Sequence, residues 1–116
     1  MHELSIAQSI FEAVQAKAAE CNASSVKCIW LKIGEASGVV PDALTFCFQM
    51  LTQLDPVLAG VQVFIEEVPH RAHCRYCDKE FAVANFIAAC PICHEWSGEI
   101  LSGTELQIVE MEIDTP

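Results

Sequence analysis

Apolar positions along the chain recur first with helical and then with strand-like spacing. Residues 4–20 carry apolar side chains at steps of three and four, which predicts a helix with one buried face. That face comprises Leu4, Ala7, Ile10, Phe11, Val14 and Ala18. A second helix is predicted to begin at Pro41, whose fixed φ suits a first helical position, and to end before Asp55-Pro56. Its apolar stripe comprises Leu44, Cys47, Phe48 and Leu51.

Three further segments have the character of strands. Residues 26–33 are nearly apolar on both faces, as in a central strand, and residues 61–68 form a second run. Residues 104–113 form a third, in which the apolar phase changes near Ile108–Val109 and so predicts a β-bulge. The predicted fold is α/β, with two helices on a small three-stranded mixed sheet. If the first two strands share this sheet, they are parallel with a right-handed crossover, and the last strand is antiparallel to a neighbour.

The segment 70–99 differs from the rest of the chain. It has few apolar residues for about 30 positions, and segments with so small a core usually need a metal or a disulfide. We therefore predict two domains. Residues 1–69 plus 100–116 form the larger one, and 70–99 form an inserted, zinc-ribbon-like loop domain.

Composition excludes several classes of function. The chain has 116 residues, with 16 acidic and six basic side chains and a net charge of −10. This charge disfavours nucleic-acid binding, which needs clustered Lys and Arg, and it disfavours a polybasic membrane anchor. The sequence has no uncharged apolar run of membrane-spanning length and no secretory signal, so we expect a cytoplasmic protein that contacts no membrane.

Four of the seven cysteines fall into two close pairs, Cys74-x-x-Cys77 and Cys90-x-x-Cys93. Two residues between thiolates let both reach one ion, and two such turns supply the four soft ligands that tetrahedral zinc prefers. Iron takes the same ligands and stays open. A pair of redox motifs is disfavoured, because such a site needs one pair at a strand-to-helix junction. Four protein ligands leave no open position, so the predicted zinc site is structural.

The first residues offer a second kind of metal site. The Met1 amine, the His2 backbone amide and the His2 imidazole can close small rings around one ion, and the amide of Glu3 can complete a planar set of four nitrogens. Planar nitrogen coordination suits Ni(II) or Cu(II) rather than zinc. The alternative is an ordinary mobile histidine at a chain terminus.

Three motifs in this order resemble the HypA/HybF family of hydrogenase maturation factors. They are Met1-His2-Glu3, the loop Gly34-Glu35-x-Ser37, and the two cysteine pairs, the second written Cys90-Pro-x-Cys93-His94. The resemblance implies a nickel metallochaperone, not an enzyme, that helps load the active site of nickel–iron hydrogenase. His2 would bind nickel, with Glu3 adjacent, and Cys74, Cys77, Cys90 and Cys93 would hold structural zinc. The implied partners are the GTPase HypB and the hydrogenase large subunit. The resemblance also implies urease and its accessory proteins as clients in some organisms, and a homodimer is left open.

One departure from the family concerns histidines beside the cysteine pairs. Some members carry Ser-His directly after the first pair, whereas here Asp78-Lys79 follow it and His73 precedes it. Proposals that such histidines enter the zinc site as pH changes therefore transfer only to His94.

The competing function is a zinc-ribbon interaction or transcription module without nickel. No nucleophile with a base, phosphate-binding glycine loop or open metal site supports an enzyme.

Overall fold

The computed structural model describes residues 3–116 as two units, each built on its own three-stranded sheet. The elements in chain order are α1 (Glu3–Glu20), β1 (Ser25–Gly34), α2 (Pro41–Thr52), β2 (Gln62–Val68), β3 (Arg71–Cys74), β4 (Lys79–Ala82), β5 (Glu99–Ser102) and β6 (Leu106–Asp114). Met1 and His2, which carry the predicted nickel donors, lie outside the described residues. Within residues 3–116, neither helix combines the length and the apolar character needed to cross a membrane.

The larger unit is the predicted α/β layer. Its strand order is β2-β1-β6, with β1 parallel to β2 and antiparallel to β6. The mixed three-stranded sheet and the central position of β1 are thus confirmed. The parallel pair is connected through α2, because parallel strands cannot be joined by a tight hairpin.

The predicted bulge lies at Val109. Trp30 pairs with Glu110 and the next residue of β1, Leu31, pairs with Ile108, so Val109 is the extra residue on β6. One inserted residue shifts the alternation of side chains by one position. Ile108 and Met111 therefore both face the helices although they are three positions apart, which in a regular strand would place them on opposite faces.

Both helices pack on one face of this sheet and enclose its core. The buried residues of β1 on this face are Val26, Ile29, Leu31 and Ile33. The two helices meet through Phe11 and Phe48, whose rings are edge-to-face with centroids 6.5 Å apart. On the opposite face, the Trp30 ring stacks on Phe64 with ring centroids 5.3 Å apart.

The smaller unit is also built on a sheet, whereas the sequence predicted only a zinc-ribbon-like loop there. Its antiparallel strands have the order β4-β3-β5. A small second core of buried residues, separate from the first, comprises Ala72, Cys74, Phe81, Val83, Ala88 and Cys90. The pairing of β5 continues to Ser102, so the predicted division after residue 99 falls inside a strand of this sheet. The sequence further predicts that residues 1–69 plus 100–116 bind nickel and that residues 70–99 bind zinc, and both assignments stay predictions.

Replacing Phe48 by Ala is expected to destabilise the larger unit strongly. Phe48 is only 1% exposed between the helices and the sheet, and such truncations cost about 3–5 kcal/mol of unfolding free energy because a cavity remains. Phe46→Ala is the matched control, since Phe46 lies on the same helix but is 64% exposed, and we expect its effect to stay within about 0.5 kcal/mol. Urea denaturation followed by helical circular dichroism measures both. Equal losses for the two variants would contradict this packing.

Candidate metal site

The structure brings the four paired cysteines together. Cys74 ends β3 and Cys77 lies in the turn to β4, while Cys90 and Cys93 lie in the long connection between β4 and β5. All four Sγ atoms are within 4.8 Å of one another. The Sγ atoms are 3.5 Å apart in Cys74 and Cys93 and 4.0 Å apart in Cys77 and Cys90. A tetrahedron with metal–sulfur bonds of about 2.3 Å has edges of roughly 3.8 Å, so the sulfurs fit one ion.

The two cysteine turns have the same backbone conformation. In each turn the residue after the second cysteine donates its N–H to the carbonyl of the first cysteine: Asp78 to Cys74 at 2.8 Å and His94 to Cys90 at 2.9 Å. Asp78 and His94 also share a left-handed backbone, with φ of 53° and 63°. Asp and His tolerate this region better than most residues. The repeated turn therefore presents each pair of sulfurs to the same point.

Backbone N–H groups favour the thiolate form of one cysteine. The N–H of Cys93, and then that of Ile92, lower the pKa of the Cys90 thiol to about 7, against the opposing effect of burial. By contrast, the hydrogen bond with Cys93, together with burial, raises the pKa of Cys77 to about 12. Four thiolates so close together repel one another, so the fully deprotonated cluster requires a cation at its centre.

The cluster is enclosed by its own unit. Cys74 and Cys90 are 1% and 2% exposed, whereas Cys77 and Cys93 are half-buried. Ala89 forms an isolated bridge with Trp96, which fixes the backbone next to Cys90. With four protein ligands, an ion here has no vacant position for substrate or water, as in a structural metal site.

His73 is bound by two carboxylates instead of facing the cysteines. Its Nε2 lies 2.8 Å from Asp78 Oδ1 and its Nδ1 lies 3.1 Å from Glu99 Oε2. Since a carboxylate only accepts, both contacts are satisfied together when the imidazole carries two protons. These hydrogen bonds, first that of Asp78 and then that of Glu99, raise the pKa of His73. Sequence reasoning missed both carboxylates.

His94 has a conformational role that its sequence position did not reveal. It is exposed, and its left-handed backbone completes the second cysteine turn. The metal-ligating group gathered within residues 3–116 consists of the four cysteines without either histidine. At the other candidate site, Glu3 is the first residue of α1 and supplies an acidic side chain to its first turn.

Comparison with known proteins covers nearly the whole chain. The family model described as "Hydrogenase/urease nickel incorporation, metallochaperone, hypA" matches residues 1–113. The chain belongs to the HypA family. It is 41% identical over 114 residues to the hydrogenase maturation factor HypA of Geobacter metallireducens, covering 98% of this chain and 100% of that protein. It is 40% identical over 113 residues to the HypA protein of Chloroflexus aggregans, covering 97% and 98% of the two chains.

A HypA structure has the same fold. The solution structure of the Ni metallochaperone HypA from Helicobacter pylori superposes with a TM-score of 0.70 and covers 100% of both chains at 20% sequence identity. Membership of the HypA family identifies the chain as one of a group of maturation factors, and the four-cysteine cluster is its candidate metal site.

Removing one cysteine of the cluster is expected to unfold the smaller unit and spare the larger one. Cys74→Ala and Cys93→Ala each leave three ligands, and the second core is too small to replace the stabilisation by the metal. Amide hydrogen exchange reports both units at once. Protection should be lost in β3–β5 and retained in β1, whose core is separate. Cys21→Ala removes an exposed cysteine and is the control. Loss of protection throughout β1 would contradict independent folding.

The contacts of His73 predict a pH dependence of stability. The pKa of His73 is raised in the folded protein, so its two hydrogen bonds stabilise the fold fully below the pKa of the unfolded chain, about 6.5. This stabilisation is lost as pH rises through the pKa of the folded protein. NMR titration should show the His73 ring losing its proton at a higher pH than a free imidazole. Asp78→Asn and Glu99→Gln should each lower that midpoint. Glu95→Gln, which removes a carboxylate of the same unit that has no contact with His73, should leave it unchanged. An unchanged midpoint in Asp78→Asn would refute this assignment.

Proposed function

We propose that this chain binds nickel and helps to insert it into the active site of nickel–iron hydrogenase. The observation that carries the proposal is the HypA family match, which spans residues 1–113 and so includes both Met1-His2-Glu3 and the four-cysteine cluster. The relatives named hydrogenase maturation factors support hydrogenase as the client. Urease is the second client, since the family description names it as well.

Zinc is the ion that suits the four cysteines. Thiolates are soft ligands, and four of them around one point make a tetrahedral site of the closed, structural type. Such an ion supplies folding free energy to a unit whose own core is small. Its task would be to hold the smaller unit folded, while the transported ion binds elsewhere.

Nickel would bind at the N-terminus through the Met1 amine, the His2 amide and the His2 imidazole. Nitrogen donors in a plane favour Ni(II) over Zn(II), so the two sites would separate the two metals by ligand chemistry. Glu3 begins α1 directly beside these donors and is the remaining candidate ligand. A chelate at a chain terminus is accessible and reversible, which suits transfer to a client better than a closed thiolate cage.

The partners follow from the same proposal. Nickel delivery would involve the GTPase HypB and the hydrogenase large subunit, or the accessory proteins of urease. It would take place in the cytoplasm, where thiolate ligands stay reduced. The chain would act as a carrier and not as an enzyme.

Nickel affinity is expected to depend on the free N-terminal amine. The amine has a reference pKa of about 7.7–8.0 and the imidazole one of about 6.5, and both must lose a proton to bind. Affinity should therefore fall steeply as pH falls through the neutral range, because protons and nickel compete for the same nitrogens. Isothermal titration of the native protein, of His2→Ala and of a version extended by Gly-Ser before Met1 measures this. Both altered proteins should bind nickel much more weakly than the native one.

Bound zinc, measured in the same preparations, is the control and should stay at one ion per chain. Tight nickel binding by the extended protein would exclude the amine and leave side chains such as His2, Glu3 or His94 as ligands. If the native protein does not bind nickel at all, the nickel function is refuted, and a zinc-ribbon interaction module becomes the better description.

A further inference from the structure

Three backbone segments approach closely where the two units join. A Cβ atom added to Gly34, the last residue of β1, would lie 2.1 Å from the carbonyl carbon and oxygen of Gly103. One added to Gly103 would lie 2.5 Å from the Cα of His70, and the φ of Gly103 is +107°. Glycine is therefore required at both positions, by contact with backbone that cannot rotate away. His70 and Gly103 belong to the two chain segments that connect the units.

The last residue of β1 and the two residues after it form hydrogen bonds to both connecting segments. The N–H of Gly34 donates to the carbonyl of Glu105 at 2.7 Å, and that of Ala36 donates to Gly103 at 2.7 Å. Between them, the N–H of Glu35 donates to the carbonyl of Val68 at 2.8 Å. Residues 34–36, which we call the clasp, thus connect to the chain that leaves the larger unit and to the chain that returns to it.

The Glu35 side chain extends the clasp to the smaller unit. Its Oε1 accepts a long hydrogen bond, 3.4 Å, from the backbone N–H of His70. The His70 carbonyl in turn accepts a hydrogen bond from the N–H of Val83 at 2.8 Å. His70 is only 8% exposed, and its imidazole packs edge-to-face on the Phe86 ring with centroids 6.0 Å apart. Glu35 and His70 also line one cleft of about 370 Å³ with residues 83–86. The carboxylate therefore acts on the residue through which the smaller unit is held.

The clasp lies at the end of the larger sheet where α1 begins. Ser5 and Ile6, in the first turns of α1, line a groove together with Leu106 and Gln107, the first residues of β6. Glu105, whose carbonyl the clasp binds, immediately precedes them. Glu3, the first residue of α1, therefore lies at the end of the larger unit that the smaller unit adjoins.

We propose that the clasp fixes the orientation of the smaller sheet at the α1 end of the larger sheet, and that Glu35 is a positioning residue for nickel binding. This inference rests on the proposed nickel function. A neighbour held at a fixed orientation beside the first turn of α1 limits the arrangements in which a nickel chelate can close there, and a chelate that closes from fewer conformations binds more tightly. Glu35 acts through the oxygen that accepts the His70 N–H, and not by contacting nickel.

The test compares four variants by orientation and by nickel affinity. Glu35→Ala removes the acceptor, whereas Glu35→Gln retains an acceptor oxygen and removes only the charge. Gly34→Ala forces the backbone segments apart, and Gly60→Ala is its control, because an added Cβ there meets nothing within 4 Å. Residual dipolar couplings give the relative orientation of the sheets, hydrogen exchange reports the His70 amide, and titration gives nickel affinity at constant zinc content.

Glu35→Ala and Gly34→Ala are expected to lose the fixed orientation and the protection of the His70 amide, and to bind nickel about fivefold more weakly or worse. Both should retain one zinc ion and protected amides inside each sheet. Glu35→Gln and Gly60→Ala should match the native protein. If Gly34→Ala does not fold, Glu35→Ala decides alone.

Two outcomes overturn the inference. An unchanged orientation in Glu35→Ala would show that the clasp does not depend on this side chain. Weakened nickel binding in Glu35→Gln, equal to that in Glu35→Ala, would instead make the charge a nickel ligand. Both outcomes differ from failure of the proposed function, in which the native protein itself binds no nickel.

Discussion

Hydrogen bonding of β1 along both edges is the interaction on which the larger unit depends. Parallel pairing with β2 and antiparallel pairing with β6 make β1 the central strand of this sheet. One face of β1 supplies the core under the helices, and on the other face Trp30 is covered by Phe64. The same strand ends at Gly34, so it connects the core of the larger unit directly to the junction between the units.

The smaller unit has a different source of stability. Its strands have four residues each, and its core includes two of the four clustered cysteines. Charge repulsion among the thiolates and the small apolar area both oppose folding until a cation is bound. A bound cation would thus take the place of the helices that cover the larger sheet, which explains why two three-stranded sheets in one chain depend on different partners.

Features set by local spacing could be predicted from the sequence. The two helices, the strands of the larger sheet, the bulge at Val109 and the gathering of four cysteines all follow from periodicity or from the Cys-x-x-Cys pattern. The burial of single positions follows the pattern less closely. Leu4 lies on the predicted apolar stripe but is 56% exposed, whereas Ile6, which is not part of that stripe, is buried. A helix end contacts the core on a narrower arc than its middle does.

Features that depend on distant pairing could not be predicted. The short strands of the smaller sheet contain few apolar residues. The alternation of apolar and polar positions that would predict a strand is therefore weak in them. Glu99 reaches His73 only because β5 pairs with β3 across 26 residues of sequence. The contact of Gly34 with Gly103 likewise requires knowledge of both units. In each case the sequence shows the residue type but not its partner.

The two tryptophans of the chain fall one to each unit. Trp30 stacks on Phe64 in the larger sheet, and Trp96 forms a β-bridge with Ala89 beside the four-cysteine cluster. Each unit consequently carries its own intrinsic fluorophore. With either indole replaced by phenylalanine, the emission of the other reports the melting of a single unit, so loss of the metal and loss of the helical layer become separate optical signals.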